Sequence, residues 1–126
     1  MTNKINYTDI ERRPKQCHLW NKKVLEEKED IWFVFEPIQT FFEDSHFSRR
    51  LVKCRECGQL YLKEFYEKID WVDGDDPQYL TFIPVRSKEE AEKINRADLW
   101  EIQNFLPKLN VDCPKGGPVQ IYWRGR

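Results

Sequence analysis

The chain has 126 residues, of which 40% are apolar, 14% aromatic and 34% charged, and its formal net charge is −1. That is the size of one ordinary domain, and the aromatic content is too high for a disordered polymer. Near-neutral charge argues against a dedicated polyanion binder, and no apolar run approaches the roughly 20 residues of a membrane span.

The N-terminal stretch has neither an apolar segment nor a small-residue cleavage pattern, so no signal peptide is expected and the cytoplasm is the expected location. Residues 1–126 read as a single domain, with 1–16 polar and expected as a ragged tail that Pro14 keeps from helix. Charge is uneven. Residues 26–80 hold 14 acidic and 7 basic groups, whereas the flanking parts are net basic. An acidic middle can steer a basic partner, although a solvated face has the same composition.

Lys22 to Asp30 is highly charged and reads as a short helix or an exposed connection. Ile31-Trp32-Phe33-Val34-Phe35 is β-branched and aromatic and reads as a buried strand, closed by Pro37 and continued by Ile38 to Phe42 after a bend. Glu43-Asp44-Ser45 is a turn signal, and Arg50 to Lys53 is a strand leading into the first of two close cysteines. Leu60 to Trp71 fits both periodicities; its aromatic content favours strand. Asp73-Gly74-Asp75-Asp76-Pro77 is a turn, and Tyr79 to Val85 a strand, with Pro84 marking an edge or an end.

Ser87-Lys88-Glu89-Glu90 is a capping box that starts a helix at Lys88. Asp98-Leu99-Trp100-Glu101 repeats the logic for a second helix or a continuation of the first, ending at Pro107, and Val119 to Trp123 is a last strand after the Lys115–Pro118 loop. Strands, then helices, then a strand imply an α+β fold, with a mostly antiparallel sheet and one or two helices in the C-terminal half. The five tryptophans, Trp20, Trp32, Trp71, Trp100 and Trp123, read as core, with one or two left over as interface anchors.

Chemistry concentrates at Cys54-Arg55-Glu56-Cys57-Gly58. Two thiolates on one tight turn reach a single ion at about 2.3 Å, and a glycine supplies the left-handed backbone that closes such a turn. Lys53 to Tyr61, nine residues, resembles one knuckle of a zinc ribbon, and the cysteine-glycine turn implies two flanking antiparallel strands. A ribbon carries two such pairs and this chain has one. The remaining ligands of a structural Zn2+ are therefore sought among isolated residues, as Cys17, Cys54, Cys57 and Cys113, with His18 as an alternative fourth ligand and His46 a more distant one. A redox pair and ordinary buried thiols are the competing readings.

The polar run Glu43 to Arg50 holds His46 among catalytic residue types, but neighbours in sequence rarely face one another. Asp70, Asp73, Asp75 and Asp76 do not match the spacing of a calcium loop. No catalytic motif stands out. The expected function is a non-catalytic module that binds a protein partner, a basic one if charge steers it, similar in character to immunity-type inhibitors of bacterial toxins. The alternative is a zinc-ribbon-like nucleic-acid-binding or regulatory protein, using Arg49, Arg50, Lys53 and Arg55 on phosphates.

Overall fold

The computed structural model describes residues 7–28, 31–68, 77–98, 101–114 and 116–126. Six strands succeed one another and pair in chain order, each antiparallel to the next: β1 (Phe35–Glu43), β2 (Phe47–Cys54), β3 (Leu60–Glu67), β4 (Gln78–Val85), β5 (Lys108–Cys113) and β6 (Gln120–Arg124). Among the described residues two α-helices accompany them, α1 (Lys22–Glu26) and α2 (Lys88–Asn95). The α+β reading holds, but the helices are not confined to the C-terminal half: α1 precedes every strand, started by Asn21, whose side chain accepts from the Val24 N–H.

Both faces of the sheet are covered, which explains the near-continuous apolar runs in its central strands. In β2 to β4, alternate residues go to opposite faces. Val52, Cys54, Tyr61, Leu80 and Phe82 face one side, where the N-terminal segment supplies Cys17, Leu19 and Leu25 and the approach to β1 supplies Ile31. Leu51, Leu62, Ile83 and Val85 face the other, under α2 and the stretch after it, through Ala91, Ile94, Ile102 and Phe105. The register Val52↔Tyr61↔Pro84 and Leu51↔Leu62↔Ile83 carries the two sets across the sheet.

The expected strand at Ile31 to Phe35 is instead a turn that passes into β1 only at Phe35. A short run of apolar residues has no period, and here a bend sorts it. Ile31 and Phe35 are buried, while Trp32 is 51% and Phe33 86% exposed. The turn is held by Val34, whose carbonyl accepts from the Arg55 N–H at 2.9 Å. Pro37 sits within β1, an outer strand, where a missing donor costs little. Pro84 lies in an inner strand, but the β5 register ends at Phe82↔Leu109, so its missing N–H falls beyond the ladder.

Ser87 caps α2 as expected, accepting from the Glu90 N–H at 3.1 Å, while Glu90 reaches back to the Arg86 N–H at 3.0 Å. At the second box Asp98 does accept from the Glu101 N–H at 2.7 Å, and the described residues that follow form a 3-10 turn, Ile102–Asn104, in place of the expected helix. The described part of the expected tail is packed. Pro14 is fully buried, Thr8 bridges Leu106, and the buried Arg12 donates to the carbonyls of Tyr7 at 2.5 Å and Leu106 at 3.0 Å. Trp20 meets Trp123 edge-on at 4.8 Å, and the Trp123 indole donates to the Leu19 carbonyl at 2.8 Å. Trp71, Trp100 and the acidic turn from Asp70 to Asp76 lie outside the described residues. Among those described, no helix is long and apolar enough to cross a membrane.

Candidate metal centre

The turn between β2 and β3 has the form that the Cys-x-x-Cys-Gly pattern implies. The Cys54 N–H donates to the Gln59 carbonyl at 2.8 Å, and the Gly58 N–H to the Cys54 carbonyl at 2.9 Å. Gly58 takes φ +80°, a left-handed conformation in which a side chain would be strained. Cys54 ends β2 and is buried, whereas Cys57 lies on the exposed outer part of the turn.

The third sulfur comes from far away in sequence. Cys17 caps a 3-10 turn, His18–Trp20, and its N–H donates to the Pro14 carbonyl at 2.9 Å. Burial of Leu19 against the sheet brings Cys17 over the end of β2. The sulfurs of Cys17, Cys54 and Cys57 then lie within 4.8 Å of one another. Two sulfurs sharing a tetrahedral Zn2+ at about 2.3 Å stand ~3.8 Å apart, so small side-chain adjustments suffice to close on an ion.

By themselves the surroundings disfavour thiolates. Burial pushes the Cys17 thiol up to about 12 and raises that of Cys54, against hydrogen bonds to sulfur from the backbone at Leu19 for Cys17, and at Cys57 and Glu56 for Cys54. A bound cation reverses the burial effect, because a coordinating thiol is deprotonated outright. The Tyr61 hydroxyl, on a wholly buried residue, has no conventional hydrogen-bond partner. It interacts with the Cys17 sulfur, and burial followed by that sulfur raises its pKa. A thiolate at Cys17 would accept its proton, completing a buried polar group that is otherwise costly. Sequence reasoning missed Tyr61; its only signal was its alternation with Leu60 and Leu62 on a strand leaving the knuckle.

Of the other expected ligands, His18 is near and Cys113 is not. The His18 Nδ1 is 3.8 Å from the Cys54 sulfur and 3.0 Å from a Glu56 carboxylate oxygen, outside the mutually close set; its Nε2 is buried without a partner. Cys113 ends β5 opposite Gln78, at the start of β4, whereas the knuckle adjoins Val85 at the end of β4. The seven residue steps between Gln78 and Val85 span ~23 Å at 3.3 Å per step. His46 pairs with Glu67 at 3.2 Å, by the Phe47↔Tyr66 end of the sheet and far from the sulfurs.

A dithiol that exchanges electrons needs a stabilised thiolate, often at a helix N-terminus. Here the turn joins two strands and burial raises the Cys54 thiol, which disfavours that role. Beside Cys57 opens a polar cleft of about 370 Å³ lined by Arg12, Arg13 and Arg86, two of which are engaged in structure: Arg86 with Asp9, Glu11 and Glu90, and Arg12 with backbone carbonyls.

The basic group around the knuckle is also largely spent. Arg49 is buried, pairs with Glu64 at 3.1 Å, and donates to the carbonyls of Asn95, the last residue of α2, and Ala97 just beyond it. Arg50 pairs with Glu43 at 2.6 Å and Lys53 with Glu36 at 3.7 Å, leaving Arg55 exposed on the turn. Such neutralisation removes most of the phosphate attraction on which nucleic-acid binding depends. Comparison of the chain with protein-family models, with curated proteins and with solved structures finds no match.

Proposed function

We propose that this chain is a non-catalytic protein-binding module, of the kind an immunity-type toxin inhibitor represents, in which a structural Zn2+ ties the N-terminal segment to the sheet. The convergence of three sulfurs from positions 17, 54 and 57 carries the metal part of this reading. Thiolate-rich sites are closed and add folding energy, whereas catalytic zinc keeps an open position. The fourth ligand is assigned to the His18 Nδ1, since two ligands of a tetrahedral zinc, one sulfur and one nitrogen, stand ~3.6 Å apart and the Cys54–His18 separation is 3.8 Å.

The binding part rests on surface chemistry. Trp32, Phe33, Ile38 and Phe42 are exposed on or beside the outer strand β1, and large exposed rings are typical interface anchors. The acidic excess of residues 26–80 favours a basic partner.

Metal analysis tests the first part: one zinc per chain is expected, retained by Cys113→Ser and weakened by His18→Ala. Protein without metal whose three sulfurs react freely with a thiol reagent defeats it. The second part is tested by affinity capture with the parent and a variant of the turn before β1: a Phe33→Ser chain should lose its partner while keeping its zinc, and unchanged affinity would remove that turn from the interface.

A further inference from the structure

A cleft of about 140 Å³ opens between the turn before β1 and the first strands of the sheet. Its walls are Ile31, Trp32, Phe35 and Phe82, and its polar lining is Arg50 and Lys63. Phe35 and Phe82 stack at 4.4 Å to form an aromatic floor, and half-exposed Trp32 stands at the side. An apolar cavity of ~150 Å³ is enough to hold a benzene ring.

The charges are unusual. Arg50 and Lys63 are direct partners in the β2–β3 register, so two cations stand opposite each other on one face. Like charges in that relation repel. Glu43 takes one terminal nitrogen of Arg50, but the Arg50 Nε is buried with no partner. Among the described residues no carboxylate lies within ion-pair distance of Lys63; its Nζ stands 5.9 Å from the Trp32 ring centroid. Burial, then Arg50, lowers the Lys63 pKa, as expected where positive charge is not compensated. Among the described residues, two cations and one carboxylate leave a single surplus positive charge facing an aromatic slot.

We infer that this cleft binds an aromatic carboxylate, its anionic group shared by Arg50 Nε and Lys63 Nζ and its ring against Phe35, Phe82 and Trp32. A monoanion matches the surplus of one, whereas a phosphate dianion overcompensates it, and the volume admits one ring. The site is independent of the cysteine cluster and of the proposed module function.

The test is an amide and indole NMR titration of the full chain with benzoate, benzamide and N-acetyl-phenylalanine. Benzoate should give saturable shifts confined to Trp32, Phe35, Arg50, Lys63 and Phe82, at about millimolar affinity. Neutral benzamide should bind at least tenfold more weakly to the same unmodified protein, and Lys63→Met should cost benzoate a similar factor. Tighter binding of N-acetyl-phenylalanine than of benzoate assigns the carboxylate to a polypeptide C-terminus; the reverse assigns it to a free acid. Equal binding of benzoate and benzamide, or shifts that scatter over the surface without saturating, overturns the inference whether or not the variant folds.

Discussion

Removal of the metal should loosen the whole domain by an amount that can be worked out in advance. Zinc that binds only the folded chain stabilises it by about 4 kcal/mol when free metal stands a thousandfold above Kd. For 126 residues, an unfolding entropy of ~2.1 cal/mol/K per residue gives about 265 cal/mol/K, so 1 kcal/mol moves Tm by ~4 °C. Excess chelator should therefore lower Tm by about 15 °C, read by calorimetry or circular dichroism with and without zinc. Cys17→Ser removes the sulfur that ties the N-terminal segment to the knuckle, and its Tm should no longer respond to chelator. Cys113→Ser, at the other end of the sheet, should keep the full response. A wild-type Tm indifferent to chelator refutes the reasoning, as does identical behaviour of the two serine variants.

Arg49→Ala should cost about 2–3 kcal/mol in urea unfolding, because it strands a half-buried Glu64 and frees the carbonyls of Asn95 and Ala97; Arg49→Lys should recover only part, lacking the fork that spans these acceptors. Ser87→Ala removes the acceptor for the Glu90 N–H and should cost about 1 kcal/mol, or ~4 °C in Tm. Lys63 yields a pH test. Its pKa in the fold is lowered from the ordinary 10.5, by burial first and Arg50 second. Between the folded and unfolded values the unfolded chain therefore binds more protons, and stability rises with pH. Lys63→Met should be more stable than the parent near neutral pH, with the difference in Tm shrinking as pH climbs through that window. A difference that is constant with pH contradicts the assigned burial.

Much of the sheet was legible because its signals are local. Aromatic and β-branched content marked strands at Arg50 to Lys53, Leu60 to Trp71 and Tyr79 to Val85, the Ser87 box set the start of α2, and Cys54 to Gly58 announced a glycine-closed turn between antiparallel strands. Failures fell where local rules are degenerate. Ile31 to Phe35 has strand propensity throughout, yet the hydrogen bond from Arg55 to Val34 bends it and leaves Phe33 in solvent. Asp98 caps as predicted, but the stretch after it is held by packing of Ile102 and Phe105 on the sheet rather than by helical periodicity. Arg49 looked like a phosphate ligand, and only the approach of α2 shows it to be an internal clasp.

By itself the sequence determined the half of the candidate metal site that a single turn can hold, since Cys54 and Cys57 are three residues apart and any chain closing that turn brings their sulfurs together. Which distant residue joins them was decided by the tertiary structure. Cys17 and Cys113 are equally eligible in composition, and both lie on the face that carries Cys54. The order of six strands puts Cys113 a full strand length away, while burial of Leu19, whose carbonyl accepts from the Trp123 indole, folds Cys17 onto the knuckle. The physical reason is range: hydrogen bonding and backbone sterics act over a few residues and are written in adjacent letters, whereas the packing that chooses among remote ligands exists only once the sheet has formed.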